Sequence, residues 1–477
     1  RTCNEYINFY QGLHDFFYNY GYINIKNISN EQIKAKLKNY IEYFKFHEFV
    51  SFEKKIIREV KEKELSKIKT LMQAYEDFEN KKTFEWRFEF PEVLDYEGNF
   101  KGFDLIIGNP PYMQVPKNIY STNIFPYTEA KDTGKQNTYK VFIEQGYNLS
   151  KEKGEICLIT QSSIMCDMSA KYTRELMLRN TEINNFIEFP KNIRIFSDVT
   201  QGVCILNFKK SIPNDNHIFR VSINNNKSLE NPIFEEIKQK DIINFFPAGF
   251  EIPLIKFGEM DIINKIKSKT ILLKELLIKS AQGNINTIHL KRIQSKKQTD
   301  YFIAKGANVH RYYLDNNLMY AKIMNEITDI VNINKEYFLL AIQNITGTSD
   351  KYRIHCCLVP SKIKNFVFLH SSNIVYVKDI KIAKFIVGVL NSKLLDWIFR
   401  KTSTNNHVNI YELEALPIPE INSKNKKLED KIVNLVDRII EGKKSGIDMR
   451  ELEEEVDRLV YKLYGLTEEE INIIENR

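Results

Sequence analysis

The sequence lacks the marks of a membrane protein, a secreted protein or a zinc-holding protein. No uninterrupted apolar stretch is long enough to span a bilayer, and no secretory signal opens the chain. None of the six cysteines forms a Cys-x-x-Cys pair, and no Cys/His group has zinc spacing. We therefore expect a reducing, cytoplasmic setting and no metal site.

Acidic residues are in slight deficit. Lys and Arg number 69 against 62 Asp and Glu, which leaves a formal net charge of +7. This excess fits a nucleic-acid partner, although a general richness in Lys, Asn and Ile explains it almost as well. With 477 residues, the chain is long enough for several domains.

Glycine and proline are absent from residues 31–80. Apolar residues there recur three to four positions apart, with Lys and Glu between them, which predicts amphipathic helices. We expect a helical segment over residues 1–83.

Residues 84–255 have a different pattern, in which apolar runs alternate with helical periodicity. This alternation predicts a mostly parallel sheet with helices on both faces, whose ligands lie at the carboxyl ends of the strands. The predicted strands are Phe103–Gly108, 155–160, 185–189 and 203–208, and the predicted helices are 139–151 and 170–180.

The remaining sequence divides into two parts. In residues 256–422, glycines and polar clusters interrupt short β-rich runs, and the two prolines of 416–419 exclude a regular element there. In residues 423–477, apolar stripes predict two amphipathic helices, 428–441 and 449–464, packed as a hairpin on the body.

A four-residue motif follows the first predicted strand and has the groups needed to bind a planar amine. It consists of Asn109, Pro110, Pro111 and Tyr112. An aromatic amine is a poor nucleophile because its lone pair is delocalised into the ring. The Asn109 side-chain oxygen and the Pro110 carbonyl can accept its two N–H groups and free that lone pair, while the prolines fix φ and aim the carbonyls. Tyr112 offers a face for a stacked base. The alternative is a proline-stiffened turn with a surface tyrosine.

This motif resembles the catalytic motif of amino-methyltransferases that use S-adenosylmethionine, which include the adenine-specific DNA methyltransferases. The stretch 86–112 resembles more narrowly the methyltransferases of single-chain type II (IIG-like) restriction–modification enzymes. The helix from Tyr139 and the stretch 189–203 are similar to their later motifs. The resemblance implies a site-specific DNA adenine N6-methyltransferase with an α/β fold. Its parts would be a partial Rossmann-like methyltransferase sheet, an α+β target-recognition domain, and helical N- and C-terminal segments.

The resemblance also implies roles for individual residues. Asn109 and Pro110 would hold the target amine of an adenine flipped out of double-stranded DNA, and Tyr112 and Phe196 would stack on its two faces. Plain core packing is the alternative for Phe196 and for Phe142. The residues that would border S-adenosylmethionine are Asn109, Pro111 and Phe142.

Two parts of such enzymes are not recognisable in the sequence. The glycines of residues 1–108 are isolated and form no Gly-rich cofactor loop, and no nuclease built on paired carboxylates and a lysine is evident. We therefore expect the C-terminal part of a longer bacterial enzyme. Its cofactor site would be completed by the remainder of the polypeptide or by a partner subunit, and the chain alone would bind S-adenosylmethionine weakly or not at all.

Residues 256–422 resemble the target-recognition domains of the same enzymes and of type I specificity subunits. Basic and amide side chains are concentrated in its turns, where Arg suits guanine, Asn suits adenine, and Lys and Arg hold phosphates. For each one singly, a solvated loop residue is the alternative. We expect Arg311→Ala and Arg353→Ala to weaken DNA binding and its salt dependence. The predicted DNA-binding residues are Lys291, Arg292, Arg311, Lys351, Arg353, Asn405, Asn406 and His407.

Two other functions stay open on the sequence. The chain could be a DNA-binding specificity module that is inactive alone, or a methyltransferase of RNA or of protein glutamine, since Asn-Pro-Pro-Tyr serves those enzymes too. A large C-terminal recognition domain favours DNA.

Overall fold

A computed structural model describes residues 90–95, 99–116, 119–132, 136–196, 201–226, 229, 231–362, 364–403 and 406–476. The helical segment predicted over residues 1–83 lies outside the described residues. In chain order the described strands are β1 (Phe103–Gly108), β2 (Gln114–Val115), β3 (Gln136–Asn137), β4 (Ser150–Gln161), β5 (Glu182–Phe189), β6 (Val203–Lys209), β7 (Ile218–Ser222), β8 (Glu235–Lys238), β9 (Thr270–Leu272), β10 (Lys279–Gln282), β11 (Gln294–Ser295), β12 (Tyr301–Ala304), β13 (Met319–Ala321), β14 (Phe338–Gln343), β15 (Cys356–Val359), β16 (Asn365–Phe368), β17 (Ser372–Val377) and β18 (Pro417–Pro419).

The described helices begin after the first three strands. They are α1 (Thr138–Leu149), α2 (Lys171–Asn180), α3 (Gln239–Phe245), α4 (Glu259–Lys267), α5 (Leu290–Ile293), α6 (Asn325–Glu336), α7 (Ile380–Leu390), α8 (Lys393–Thr402), α9 (Ile410–Glu414), α10 (Lys426–Lys444), α11 (Arg450–Tyr464) and α12 (Glu468–Glu475). None of these helices is both long enough and apolar enough to cross a lipid bilayer. The mixed α/β fold predicted from the sequence is confirmed.

The first sheet has the strand order β1-β4-β6-β5-β7-β8. β1 pairs with β4 and β5 with β7 in parallel, whereas β6 lies antiparallel between β4 and β5, and β8 lies antiparallel to β7. Four of these six strands therefore run in one direction. The prediction of a mostly parallel sheet holds for strand direction, but β6 turns back and inserts beside β4, so most of the described ladders are antiparallel.

Only one face of this sheet is covered by α1 and α2 in the described part of the chain. α1 packs on β4, and α2 packs beside α1 and on β5. The face of β1 that points the other way carries Leu105 and Ile107, which are 53% and 73% exposed. β1 is also an edge strand among the described strands. Helices on both faces, as predicted, are therefore not found in this part of the chain.

Two four-stranded sheets follow, with the orders β10-β17-β14-β15 and β11-β13-β12-β16. The prediction that residues 416–419 exclude a regular element is wrong, because β18 pairs antiparallel with β9. Pro417 and Pro419 are two positions apart, so the two missing N–H groups fall on the same side of this short strand. The ladder needs only one side.

The C-terminal helices pack on the rest of the molecule as predicted, with α10 against both α7 and α11. α7 approaches α10 closely at Gly388, where an added Cβ would lie 2.7 Å from the Ile432 side chain. One apolar core runs from the first sheet through α7 and α8 to α11. The domain boundaries at residues 255 and 422 stay predictions, since this core crosses both of them.

Candidate active site and nucleic-acid interface

The Asn109–Tyr112 loop lies at the carboxyl end of β1, where the sequence places it. Asn109 and Pro111 are exposed, Pro110 is buried and Tyr112 is half-buried. The Tyr112 hydroxyl lies 3.0 Å from the Ile159 carbonyl oxygen and 3.3 Å from the Asn109 Oδ1 atom. The first contact attaches the loop to β4, and the second brings the hydroxyl to the amide oxygen predicted to meet the target amine. Burial raises the pKa of Tyr112 to about 12, so the hydroxyl keeps its proton as a donor.

The segment that carries Phe196 lies at the same edge of the sheet. It leaves β5 after Phe189 and returns at Val203, which pairs with Gln161 at the end of β4. The Ser162 amide donates to the Gly202 carbonyl at 2.9 Å and joins this segment to the turn after β4. Phe196 itself is half-buried, and residues 197–200 lie outside the described part. Its stacking role stays a prediction.

Buried polar side chains hold the long connection between the loop and α1. Glu144 accepts hydrogen bonds from the Tyr127 and Thr128 amides at 3.0 and 2.8 Å, and from the Thr128 hydroxyl at 2.6 Å. Asp132 accepts from the Tyr172 amide and the Thr173 hydroxyl at 2.8 and 2.7 Å. Burial raises the pKa of both carboxyl groups. These bonds attach the connection to α1 and α2.

Phe142 differs from its neighbours on α1. Val141 and Ile143 are buried, whereas Phe142 is 45% exposed. Core packing, the alternative for this residue, is therefore only partial. Its exposed ring is available to a ligand, which agrees with the predicted contact to the cofactor but does not test it.

A fully buried arginine, which sequence reasoning missed, braces the turn after β4. The Arg174 guanidinium donates to the carbonyls of Ile164 and Asp167 at 2.8 Å each, and to Gly249 at 2.6 and 3.0 Å. In the sequence it is one charged residue in an amphipathic helix, a pattern that predicts exposure. No local signal marks it.

Residues 256–422 are called the recognition region here, after the role predicted from the sequence. Several of its loops meet at one end of the β10-β17-β14-β15 sheet. The end of β10 and the end of β14 both pair with the start of β17, so the loops that follow Gln282 and Gln343 lie together. Ile345 forms a bridge with His407, and the Thr346 amide donates to the Asn406 carbonyl at 2.9 Å. The loop that contains Asn406 and His407 therefore joins the same end.

The predicted DNA-binding residues divide into exposed and buried groups. Lys291, Lys351, Asn406 and His407 are exposed, and so is Arg292, although it is paired with Glu326 at 2.7 Å. The Nδ1 atom of His407 lies 2.9 Å from the Oδ1 atom of Asn344. Asn405 lies outside the described residues. The exposed members keep the charge or amide groups that a nucleic-acid contact needs.

Arg311 and Arg353 are not surface residues, which corrects the prediction that both contact DNA. Arg311 is 8% exposed, pairs with Glu453 at 2.8 Å, and lies over the Tyr352 ring with its guanidinium carbon 3.9 Å from the ring centroid. Arg353 is 1% exposed and donates to the Thr346 hydroxyl at 2.9 Å and to the His407 carbonyl at 3.3 Å. Both guanidinium groups connect internal elements. Arg353 joins the loop of Thr346 to the loop of His407 through these two hydrogen bonds.

Comparisons with known proteins find similarity to restriction–modification enzymes. Residues 22–196 match the family model of the Eco57I restriction-modification methylase. A protein of Methanocaldococcus jannaschii described as a type II restriction enzyme and methyltransferase is 25% identical over 429 residues, which cover 84% of this chain. The chain spans about a third (34%) of the length of that relative.

Two solved restriction–modification enzymes are similar at a lower level. The type IIL enzyme MmeI, solved in complex with DNA, has a TM-score of 0.48 and 11% identity over 78% of this chain and 56% of its own. The type IIG restriction endonuclease BpuSI has a TM-score of 0.30 and 11% identity, over 76% of this chain and 54% of its own. The family match and the Methanocaldococcus relative confirm the resemblance drawn from the sequence motifs.

Proposed function

Because residues 22–196 match the family model of the Eco57I restriction-modification methylase, we propose that the protein methylates the N6 amine of adenine in double-stranded DNA at a specific site. The proposal rests on a difference in hydrogen bonding between the Pro110 and Pro111 carbonyl groups. The Pro111 carbonyl accepts a hydrogen bond from Thr138, whereas the Pro110 carbonyl accepts none within the described residues. Pro110 and the exposed Asn109 amide oxygen thus provide two acceptors for one amine.

The chain's own groups supply positioning and electrostatics for this reaction. Two acceptors draw the N–H groups toward a tetrahedral nitrogen and free its lone pair. The freed lone pair would face the methyl group that a bound S-adenosylmethionine would supply. The sulfonium sulfur would keep the electron pair of the broken carbon–sulfur bond, and the methylated nitrogen would then lose one proton. Tyr112 and Phe196 are proposed to stack on the two faces of the flipped adenine.

S-adenosylmethionine, when bound, would supply an electrophilic methyl group on a sulfonium sulfur. The residues that would border it are Asn109, Pro111 and Phe142. The side chains of all three are exposed to solvent. These residues account for one side of a cofactor site. The remainder of the polypeptide or a partner subunit is proposed to complete the site, and the exposed Leu105 and Ile107 on the edge strand β1 provide a surface for it. On this proposal the chain alone binds the cofactor weakly, and micromolar binding by calorimetry would contradict it.

The recognition region is proposed to read the DNA sequence. Its exposed Lys351, Asn406 and His407 lie on loops at one end of a sheet, and its exposed Lys291 lies on the short helix α5. Their charged and amide groups suit phosphate and base-edge contacts. We place the activity in the cytoplasm, where DNA and reduced cysteines are both found.

A methyl-transfer assay with radiolabelled S-adenosylmethionine and duplex DNA tests the function. Asn109→Ala should abolish transfer, because it removes one of the two acceptors. Asn332→Ala is the matched control, since Asn332 is exposed on α6 away from the loop. Equal transfer by both variants would contradict the proposal. Specific duplex binding without transfer by the wild-type chain would favour a DNA-binding module, and transfer to RNA or protein without duplex binding would favour those substrates.

A further inference from the structure

Thr138, the first residue of α1, forms three hydrogen bonds with Pro111 of the Asn109–Tyr112 loop and with Met113, the residue that follows this loop. Its hydroxyl donates to the Pro111 carbonyl, and the same oxygen accepts from the Met113 amide at 3.1 Å. Its own amide donates to the Met113 carbonyl at 3.0 Å. The side chain is 3% exposed. One threonine therefore holds both the acceptor of one loop residue and the donor of another.

The contact to Pro111 decides which carbonyl of the loop is free. Fixing the Pro111 carbonyl sets the orientation of the peptide plane between Pro111 and Tyr112. The rings of Pro110 and Pro111 restrict φ on the preceding side. With φ restricted and the following plane fixed, the Pro110 carbonyl has little freedom left, and it stays unpaired within the described residues.

Thr138 is itself held in place. β2 and β3, which pair immediately before it, close the connection between the loop and α1 into an antiparallel ladder. Asn137 caps α1 by accepting from the Tyr139 amide at 3.4 Å and donates to the Gln161 side chain at 3.3 Å. Lys140, in the first turn of the helix and 1% exposed, donates to the Ser169 carbonyl at 2.7 Å. The threonine hydroxyl is therefore presented by an anchored helix terminus and not by a mobile loop.

We propose that Thr138 is a positioning residue for methyl transfer, which acts by holding the Asn109–Tyr112 loop so that the Pro110 carbonyl and the Asn109 amide oxygen meet the same amine. The inference rests on the proposed function for its catalytic consequence. Its structural part, the restraint of the loop, stands on the three hydrogen bonds alone. Thr138 touches neither the base nor the methyl group in this proposal.

Three variants of the full chain separate the hydroxyl from the shape of the side chain. Thr138→Val keeps the volume and removes the hydroxyl, Thr138→Ala removes both, and Thr138→Ser keeps the hydroxyl. Thr467→Ala is the matched control, because Thr467 also caps a helix start, at α12, far along the chain from the loop. Circular dichroism and thermal melts establish that each variant is folded.

Hydrogen exchange by mass spectrometry reads the restraint directly. Thr138→Val and Thr138→Ala should accelerate exchange of the Met113 amide by about tenfold, with Thr138→Ser and Thr467→Ala near wild type. In the transfer assay, Thr138→Val should lower kcat by about 10- to 100-fold with an unchanged KM for DNA, and Thr138→Ser should restore it.

The inference would be overturned by unchanged exchange over residues 109–116 in Thr138→Val, or by wild-type kcat in a folded Thr138→Val. An equal loss in Thr138→Ser and Thr138→Val would also overturn it, since the hydroxyl would then be irrelevant. If the wild-type chain transfers no methyl group even at a high concentration of S-adenosylmethionine, which compensates for weak binding by the chain alone, the proposed function fails for this chain, while hydrogen exchange still decides whether Thr138 holds the loop.

Discussion

The substitution Arg311→Ala separates a structural arginine from a DNA-binding one. The Arg311 guanidinium donates to the Asn391 carbonyl and to Glu453, and lies over the Tyr352 ring. These partners come from the turn before α8, from α11 and from the recognition region itself. Removing the guanidinium therefore releases contacts among three parts of the molecule, and no exposed charge is lost.

The expected cost can be worked from the surroundings of Glu453. Deleting one member of a buried pair costs about 3–5 kcal/mol because the other charge is left uncompensated. Glu453 keeps a second partner, Lys443, at 2.6 Å, so we expect the lower end, about 3 kcal/mol. A cooperative unit of roughly 200 residues unfolds with an entropy of about 0.4 kcal/mol/K, which converts this loss to a fall of about 7 °C in Tm.

Thermal melts and DNA titrations over a salt series test this assignment. Below its lowered Tm, Arg311→Ala should bind DNA with the wild-type affinity and salt slope. Lys351→Ala is the control, since Lys351 is exposed on a recognition loop. It should leave Tm unchanged and reduce the slope of log K against log salt by about 0.9 if it contacts one phosphate. A reduced salt slope with an unchanged Tm in Arg311→Ala would refute the structural assignment.

Two further predictions concern single hydroxyl and carboxyl groups. Tyr112→Phe keeps the ring but loses the hydroxyl contacts to Ile159 and Asn109, so kcat for methyl transfer should fall by about two- to tenfold. Tyr112→Ala should fall further, and equal values for the two variants would exclude stacking. Burial raises the pKa of Glu412 from 4.5 to about 7, so its contribution is fully present below pH 4.5 and is lost as pH rises through 7. Glu412→Gln should therefore gain stability over wild type, by up to about 3 kcal/mol at pH 8 and less at pH 5. Urea unfolding at both pH values measures this, and a pH-independent difference would contradict it.

The elements predicted best are those that local sequence specifies. β1 occupies the predicted residues Phe103–Gly108 because an apolar run is bounded by Gly102 and by the Asn-Pro pair. The predicted helices of the first sheet and of the C-terminal hairpin also form, with ends displaced by at most three residues. Periodicity and proline positions are local properties, and a sequence displays them directly.

The errors arise where the deciding partner is distant in sequence. The burial of Arg311 depends on Glu453, 142 positions later, and the loop contact of Thr138 depends on Pro111, 27 positions earlier. A basic residue in a turn predicts a nucleic-acid contact only if no carboxylate reaches it first. The insertion of β6 beside β4 is also non-local. The alternation of apolar runs and helical periodicity predicts which segments are strands, but it does not predict which strands are neighbours in the sheet.

The stretch 252–254 connects the predicted recognition region, residues 256–422, to the sheet that carries the Asn109–Tyr112 loop. The Ile252 amide donates to the Met165 carbonyl in the turn after β4, and the Leu254 amide donates to the Lys401 carbonyl at the end of α8, each at 2.7 Å. Lys401 also pairs with Glu259 at 2.6 Å in a buried contact. α8 ends immediately before the loop of Asn406 and His407, whereas β4 supports the Tyr112 hydroxyl. Because a displacement of about 1 Å can reduce a rate about 100-fold, short connections of this kind would be needed if, as proposed above, residues 256–422 position an adenine of the DNA at Asn109 and Pro110.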